Sequence, residues 1–246
     1  MAVRNIKLTI RYDGRDYHGW QAQPGEKTIQ GTIENALAQL LGDKVKLTGT
    51  SRTDAGVSAL AQTANIRIDS PVPTENLARA ITQKLPEDIA VTQAEEVDQT
   101  FDPITSVKSK LYRYTICTDV NRPVLQIRHC WHRPGRLDIK AMDAAAKCLV
   151  DTYDFKSFAS AADNRQSSVR TILLCDVSSK DNWIYIDVEA DGFLYNMVRN
   201  IVGTLAEVGR GRWRPEKIKE ILAAKDRTAA GPIAPACGLC LMWIKY

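Results

Sequence analysis

Asp54 stands two residues after Arg52 in the stretch GTSRTDAGVSAL, residues 49 to 60, a segment too rich in Gly, Ser and Thr to be core. A carboxylate beside a guanidinium is held ionised, so this acid is suited to act as a nucleophile or a base rather than as a proton donor. If the loop is extended, Arg52 and Asp54 lie on the same side of it. The residues TDAG also read as a plain turn, with Asp and Gly chosen for their backbone preferences, and the local pattern leaves both readings open. A second kind of chemistry is suggested by cations set among aromatics. Lys108, Lys110 and Arg113 surround Tyr112 and Tyr114, and VGRGRWRPEK gathers Arg210, Arg212, Arg214 and Lys217 around Trp213. Such groupings suit contact with an RNA backbone with bases stacked nearby, or simply a solvated charged face.

The elements that must position these residues follow from periodicity. Ile6, Leu8, Ile10 and Tyr12 alternate with polar residues as a half-buried strand does, and YDG closes it with turn residues. From Thr28, suited to an N-cap, Ile29, Ile33, Ala36, Leu37, Leu40 and Leu41 keep the helical period until Gly42. Val45 and Leu47 predict a short strand, residues 49 to 57 a loop, and Ala64, Ile66 and Ile68 another strand. Pro73 and Thr74 open a helix that Pro86 ends, and Ile89 to Val97 returns as strand. This order is that of a ferredoxin-like split unit.

After FDPITS the order repeats with longer connections. The pattern predicts a strand over Val107 to Cys117, a helix over Asp138 to Val150, and strands over Val169 to Ser178 and Trp183 to Glu189. It then predicts a helix over GFLYNMVRNIVGTLAEVG, another over Pro215 to Leu222, and a last strand over Leu239 to Lys245. The expectation is a pseudo-duplicated α+β protein with mainly antiparallel sheets, its halves spanning 1–105 and 106–246.

Composition excludes several classes. The 246 residues are 44% hydrophobic and 25% charged, the balance of an ordinary globular protein. The first ten residues carry charges and do not form a signal peptide, and no apolar run is long enough to span a bilayer, so the expected location is cytoplasmic, with no membrane partner. Six cysteines at uneven intervals are not a secreted scaffold's framework. Cys237 and Cys240 form a single CxxC at the edge of an apolar strand, and HCWH (129–132) adds no second pair at metal spacing, so core packing is the reading and no metal is expected. Gly209 and Gly211 follow a helix rather than open one, which gives no phosphate loop. No GXXG clamp or RNP aromatic signature of a KH or RRM module is present. The net charge of +4 permits a polyanionic partner without requiring one.

RTDAGV resembles the catalytic-loop signature of the tRNA pseudouridine synthase A family, and the resemblance extends along nearly the whole chain. YDGRDYHGWQAQ (12–23) is similar to the family's first strand and turn, Gln30 to the helix start that follows, and Gln62 to the strand after the catalytic loop. LYRYTI (111–116), NMVRNIVGTLAEVG (196–209) and AKDRTAAGPIAPACGLCL (224–241) resemble the family's later motifs, in family order. The resemblance implies the pseudouridine synthase fold and a cofactor-independent isomerase that converts uridine to pseudouridine at positions 38 to 40 of the tRNA anticodon arm, working as a homodimer. It implies that Asp54 is the catalytic aspartate, as nucleophile or base, and that Tyr112 stacks on the flipped uracil. Arg199 would pair with Asp54 inside a cleft, Leu239 supply an apolar wall, and Arg52 face the RNA backbone. The chain departs from the family at Ser58, where His is common, and at Asp102, Pro103 and Ile104, where HAR-like residues are common. The rival reading is a non-catalytic tRNA-binding or folding protein on the same fold.

Overall fold

A computed structural model describes residues 2–246. In chain order the elements are β1 (Arg4–Tyr12), α1 (Ile29–Leu41), β2 (Thr48–Gly49), β3 (Ser58–Ile68), α2 (Thr74–Thr82), β4 (Ile89–Val97), β5 (Ser109–Cys117), β6 (Trp131–His132) and α3 (Ile139–Lys147). They continue with β7 (Asp151–Asp154), β8 (Val169–Lys180), β9 (Trp183–Ala190), α4 (Met197–Gly209), α5 (Lys217–Ala224) and β10 (Leu239–Lys245). The chain divides into two compact units, one of residues 1–108 with 240–246 and the other of residues 109–239.

In the first unit β1 lies between β3 and β4, antiparallel to both. β2 pairs antiparallel with one end of β3 at Asn65 and Ala64, and β10 pairs parallel with its other end at Ser58 and Ala59. Ile6, Leu8 and Ile10 present one face of β1, and Ile29, Ile33, Ala36 and Leu37 of α1 with Leu77 and Ile81 of α2 bury their apolar sides in the same core. Apolar burial of this kind supplies the main driving force of the fold. α1 begins and ends where Thr28 and Gly42 predict: the Thr28 hydroxyl accepts from the Gly31 N–H, and Gly42 takes a left-handed φ of 79°. Thr28→Ala removes that cap and is expected to cost about 1 kcal/mol. Thermal unfolding checks it, with a fall in Tm of about 3 °C.

In this unit two boundaries differ from the sequence pattern for a reason the hydrogen bonds show. The strand predicted at Val45 and Leu47 forms instead at Thr48–Gly49, because side chains of α1 occupy the Leu47 peptide: Glu34 accepts its N–H at 3.1 Å and Gln30 donates to its carbonyl at 2.9 Å. α2 stops at Thr82, four residues before Pro86, because Lys84 and Leu85 turn their N–H groups to carbonyls three residues back, tightening the chain out of the α geometry.

The second unit has β9 between β5 and β8, with β7 on the outer side of β8, all antiparallel, and β6 parallel to the end of β5. The sheets are thus mainly antiparallel in an α+β fold, as the element order predicts. α4 is buried along nearly its whole length. It starts at Met197 rather than Gly192 because Asn196 takes a left-handed φ of 61° and the Tyr195 N–H is held by the Asp163 carboxylate, which fixes the preceding residues outside the helix. α5 likewise begins at Lys217, after a first turn closed by three-residue bonds from Lys217 to Arg214 and from Ile218 to Pro215. The sequence pattern does not mark β6 or β7, which are two and four residues long.

Candidate active site

The Asp54 loop joins β2 to β3 and is fastened from several sides by the first unit. At its start the Thr50 N–H donates to the Thr63 carbonyl at 2.9 Å, and the Gln62 amide donates to the Ser51 carbonyl at 2.6 Å. In its middle the Thr53 side chain turns inward, its hydroxyl 2.8 Å from that of Tyr12, while its carbonyl accepts from the Trp20 N–H at 3.0 Å. At its end the Val57 N–H closes a turn onto the Asp54 carbonyl at 3.1 Å, with Gly56 at a φ of 79°. Because Thr53 faces in, its neighbours are turned outward: Arg52 is exposed and Asp54 half-buried. A rigid sheet therefore presents one guanidinium and one carboxylate, the arrangement expected of a functional loop on a fixed scaffold.

The segment beneath the loop is YDGRDYHGW. A Cβ on Gly14 would lie 1.9 Å from the Val57 carbonyl oxygen, and one on Gly19 would lie 2.7 Å from the Thr53 carbonyl oxygen. Gly49 similarly gives way to the Trp20 indole, 2.4 Å from where its Cβ would stand. Gly14 and Gly19 let two stretches of backbone touch directly, so main-chain contact as well as side-chain bonds sets the position of Asp54. Ser58 belongs to the same clamp: it is buried, and its hydroxyl accepts from the Gly14 N–H at 3.1 Å. Tyr246 bonds its phenol to the Thr50 hydroxyl and packs its ring, tilted by 60°, against Phe101 with ring centres 5.2 Å apart. Burial pushes that phenol above its ordinary pKa. Asp102 and Ile104 shape a turn, in which the Thr105 and Ile104 N–H groups hold the Asp102 carboxyl below the usual carboxylate range.

Tyr112, Arg199 and Leu239 lie in the second unit. Tyr112 is a buried residue of β5, edge-on to Phe193 with ring centres 5.2 Å apart. Tyr114, two residues on and on the same face, donates to the Pro235 carbonyl at 2.7 Å, and a Cβ on Gly238 would stand 2.6 Å from its ring. The residues leading to buried Leu239 are thus pinned beside the tyrosine pair. Arg199, in the first turn of α4, donates through Nε to the Ala234 carbonyl at 2.8 Å and through Nη1 to Asn196 at 3.0 Å. The segment it grips lies directly on the helix, since a Cβ on Gly203 would stand 1.6 Å from the Pro232 carbonyl oxygen and the Gly231 N–H donates to the Thr204 hydroxyl. The backbone that carries Arg52 and Asp54 is fastened within the first unit, and the tyrosine, arginine and leucine around β5 and α4 are held within the second.

The sequence pattern of the family described as tRNA pseudouridine synthase matches residues 8–104 and 145–246. The chain is 43% identical over 244 residues to a tRNA pseudouridine synthase A of Caldicellulosiruptor saccharolyticus, covering 99% of this chain and 100% of that protein. This chain belongs to the tRNA pseudouridine synthase family. The tRNA pseudouridine synthase A 2 of Clostridium perfringens is also 43% identical, with the same coverage. Among solved structures, an archaeal box H/ACA sRNP Nop10-Cbf5 complex overlaps at a TM-score of 0.36 and 9% identity, over 82% of this chain and 52% of that one, too loosely to carry a structural inference.

Within this synthase family member, the residues that sequence reasoning missed are positional. Tyr12, Gly14, Gly19 and Trp20 carry no reactive group, yet they fix the Asp54 loop. The signal was present in YDGRDYHGW, where two glycines stand among aromatics, but its use depends on a contact with residues 53 to 57 that no local pattern reveals. Two of the basic residues around Trp213 are also committed to structure. Burial opposes ionisation of Glu207, but Arg210 and Arg212 donate to its two oxygens and hold the carboxyl below its ordinary pKa. Cys237 directs its Sγ to the Cys130 carbonyl at 3.3 Å and Cys240 to that of Leu241 at 3.7 Å, as packed thiols do.

Proposed function

We propose that this member of the tRNA pseudouridine synthase family, an isomerase acting on tRNA, converts uridine to pseudouridine at positions 38 to 40 of the anticodon stem-loop. The observation that carries the reading is the clamped loop that presents Asp54 beside Arg52, in a chain similar to full-length synthases from end to end. The reaction breaks the bond from uracil N1 to the ribose C1′, turns the base, and forms a bond from C5 to the same carbon. The C5 proton leaves and N1 ends protonated, so atoms balance with no redox step and no cofactor. Asp54 acts as the nucleophile, on the sugar or the pyrimidine ring, or as the base. Tyr112 stacks on the uracil, Leu239 walls it, Arg199 keeps Asp54 charged, and Arg52 holds the backbone of the extruded nucleotide. Extrusion costs a few kcal/mol, offset by stacking and phosphate contacts.

Incubation with an unmodified tRNA bearing uridine at those positions, followed by carbodiimide modification and primer extension, tests the reading. Stops are expected at positions 38 to 40; their absence on several folded tRNAs would overturn it in favour of a binding protein. Affinity for tRNA is expected to fall steeply with salt, with log K changing by about 0.7–0.9 per phosphate contact for each unit of log salt. A Kd that does not move between low and physiological salt would count against RNA as partner. We further infer a homodimer in the cytoplasm, to be checked by light scattering and by fractionation; among the described residues no helix is long and apolar enough to cross a membrane.

A further inference from the structure

Lys110 shares a face of β5 with Tyr112, two residues and so about 7 Å along the strand. It is half-buried, and none of the hydrogen bonds or ion pairs of the described residues engages its ammonium. The charges it faces, Arg165 in the loop before β8 and Arg170 at the start of β8, are of its own sign; Lys110 lies opposite Ala190 of β9, which lies opposite Ile172 of β8. Burial first, and then the guanidiniums of Arg165 and Arg170, pull its pKa down to about 8. The neighbouring acids are already engaged: Asp163 accepts from Arg165 and from the Tyr195 N–H, and Asp191 accepts from the Thr171 N–H. Arg170 is folded back along the chain, its Nη1 donating to the Ser167 carbonyl at 3.1 Å.

Beside this cluster is a cavity of about 160 Å³ whose charged lining is Lys156, Arg165 and Asp163, with Ser167, Ser168 and Leu194 among its other walls. Its wall is tied to the uracil-stacking residue, because Leu194 follows Phe193, whose ring packs edge-on to Tyr112. Three cations, Lys110, Arg165 and Arg170, thus stand near two carboxylates, Asp163 and Asp191, and of these only Arg165 and Asp163 also line the polar hollow, with Lys156. Like charges gathered without enough counter-charge are stabilised by an anion, and guanidinium with ammonium and hydroxyl donors is the set that recognises phosphate.

We propose that Lys110, Arg165 and Arg170 form a phosphate site that grips the RNA backbone next to the uridine stacked on Tyr112, an inference that rests on the tRNA reading above. The separation between Lys110 and Tyr112 is of the order that one nucleotide spans between its base and its phosphate. A phosphate there fixes the backbone on one side of the extruded nucleotide and neutralises the repulsion among the three cations.

The test uses the full-length protein with an unmodified tRNA transcript. Lys110→Gln and Arg165→Gln are each expected to raise Kd and KM about fivefold to tenfold, to leave kcat within about twofold, and to lower the salt slope by about 0.7–0.9, one phosphate contact. Lys110→Arg should restore the slope. Replacing the phosphate on one side of the target uridine by a neutral methylphosphonate should weaken wild type and leave Lys110→Gln almost unchanged. Arg165 also pairs with the buried Asp163 carboxylate, so a thermal melt of its variant beside wild type separates loss of that ion pair from loss of the phosphate contact. Unchanged Kd and slope in both folded variants, or a loss confined to kcat, overturns the phosphate site. Absence of pseudouridine with the wild type would instead overturn the proposed reaction, and the binding slopes would still decide the site.

Discussion

Asp54→Asn is expected to lower kcat for pseudouridine formation by about 10³-fold or more while leaving tRNA Kd within about twofold. The amide keeps the shape of the carboxylate but can neither attack carbon nor accept a proton at neutral pH. What holds the loop is independent of the Asp54 side chain: the Thr53 hydroxyl and carbonyl, the Ser51 carbonyl and the Asp54 main-chain carbonyl make the contacts that fasten it. A thermal melt of the variant beside wild type checks that the loop keeps its fold. Single-turnover assays beside filter binding separate the two quantities. Retained turnover in Asp54→Asn would remove this residue from the chemistry. Equal tRNA binding with no turnover in either protein would favour the rival reading, a binding protein on the same fold.

How much of this was legible in the sequence depended on the range of the interaction. β1, α1, β4 and β10 could be placed closely, because a strand's alternation or a helix's cap is encoded within a few residues: Thr28 and Gly42 bracket α1 by their own side-chain and backbone chemistry. The Val45–Leu47 expectation failed because the deciding partners, Gln30 and Glu34, come from a different element and take the Leu47 peptide out of the ladder. The start of α4 was misplaced for a similar reason, since Asp163, thirty-two residues earlier, holds the Tyr195 N–H. For the site, resemblance singled out Asp54, Tyr112 and Arg199, whose chemistry is carried by the residue type itself. It did not reveal Ser58 as a tether of Gly14, because a serine's hydroxyl is equally at home on a surface facing RNA. The glycines under the loop were visible only as turn residues; that they exist to admit another stretch of backbone is a fact of tertiary contact.

That contact gives the second large effect, and a built-in control for it. Gly19 and Gly25 both lie in the connection from β1 to α1 and both take left-handed φ angles, 84° and 79°. Alanine at either position incurs the same conformational strain, about 1–2 kcal/mol. At Gly25 nothing lies within 4 Å of the new methyl, so Gly25→Ala should melt a few degrees lower and keep its kcat. At Gly19 the methyl would stand 2.7 Å from the Thr53 carbonyl oxygen and 3.2 Å from both the Ala55 nitrogen and the Asp54 carbonyl carbon. These are main-chain atoms, which cannot swing aside as a flexible side chain does, so the loop itself must shift and carry the carboxylate with it. A displacement of about 1 Å at a reacting group costs about 10²-fold in rate, and Gly19→Ala is expected to lose kcat on that scale with KM little changed. The pair divides strain from position: both variants share the first, and only one moves Asp54. If Gly25→Ala lost as much activity as Gly19→Ala, the loss would come from the strained connection, and the direct backbone contact would not be what places the catalytic loop.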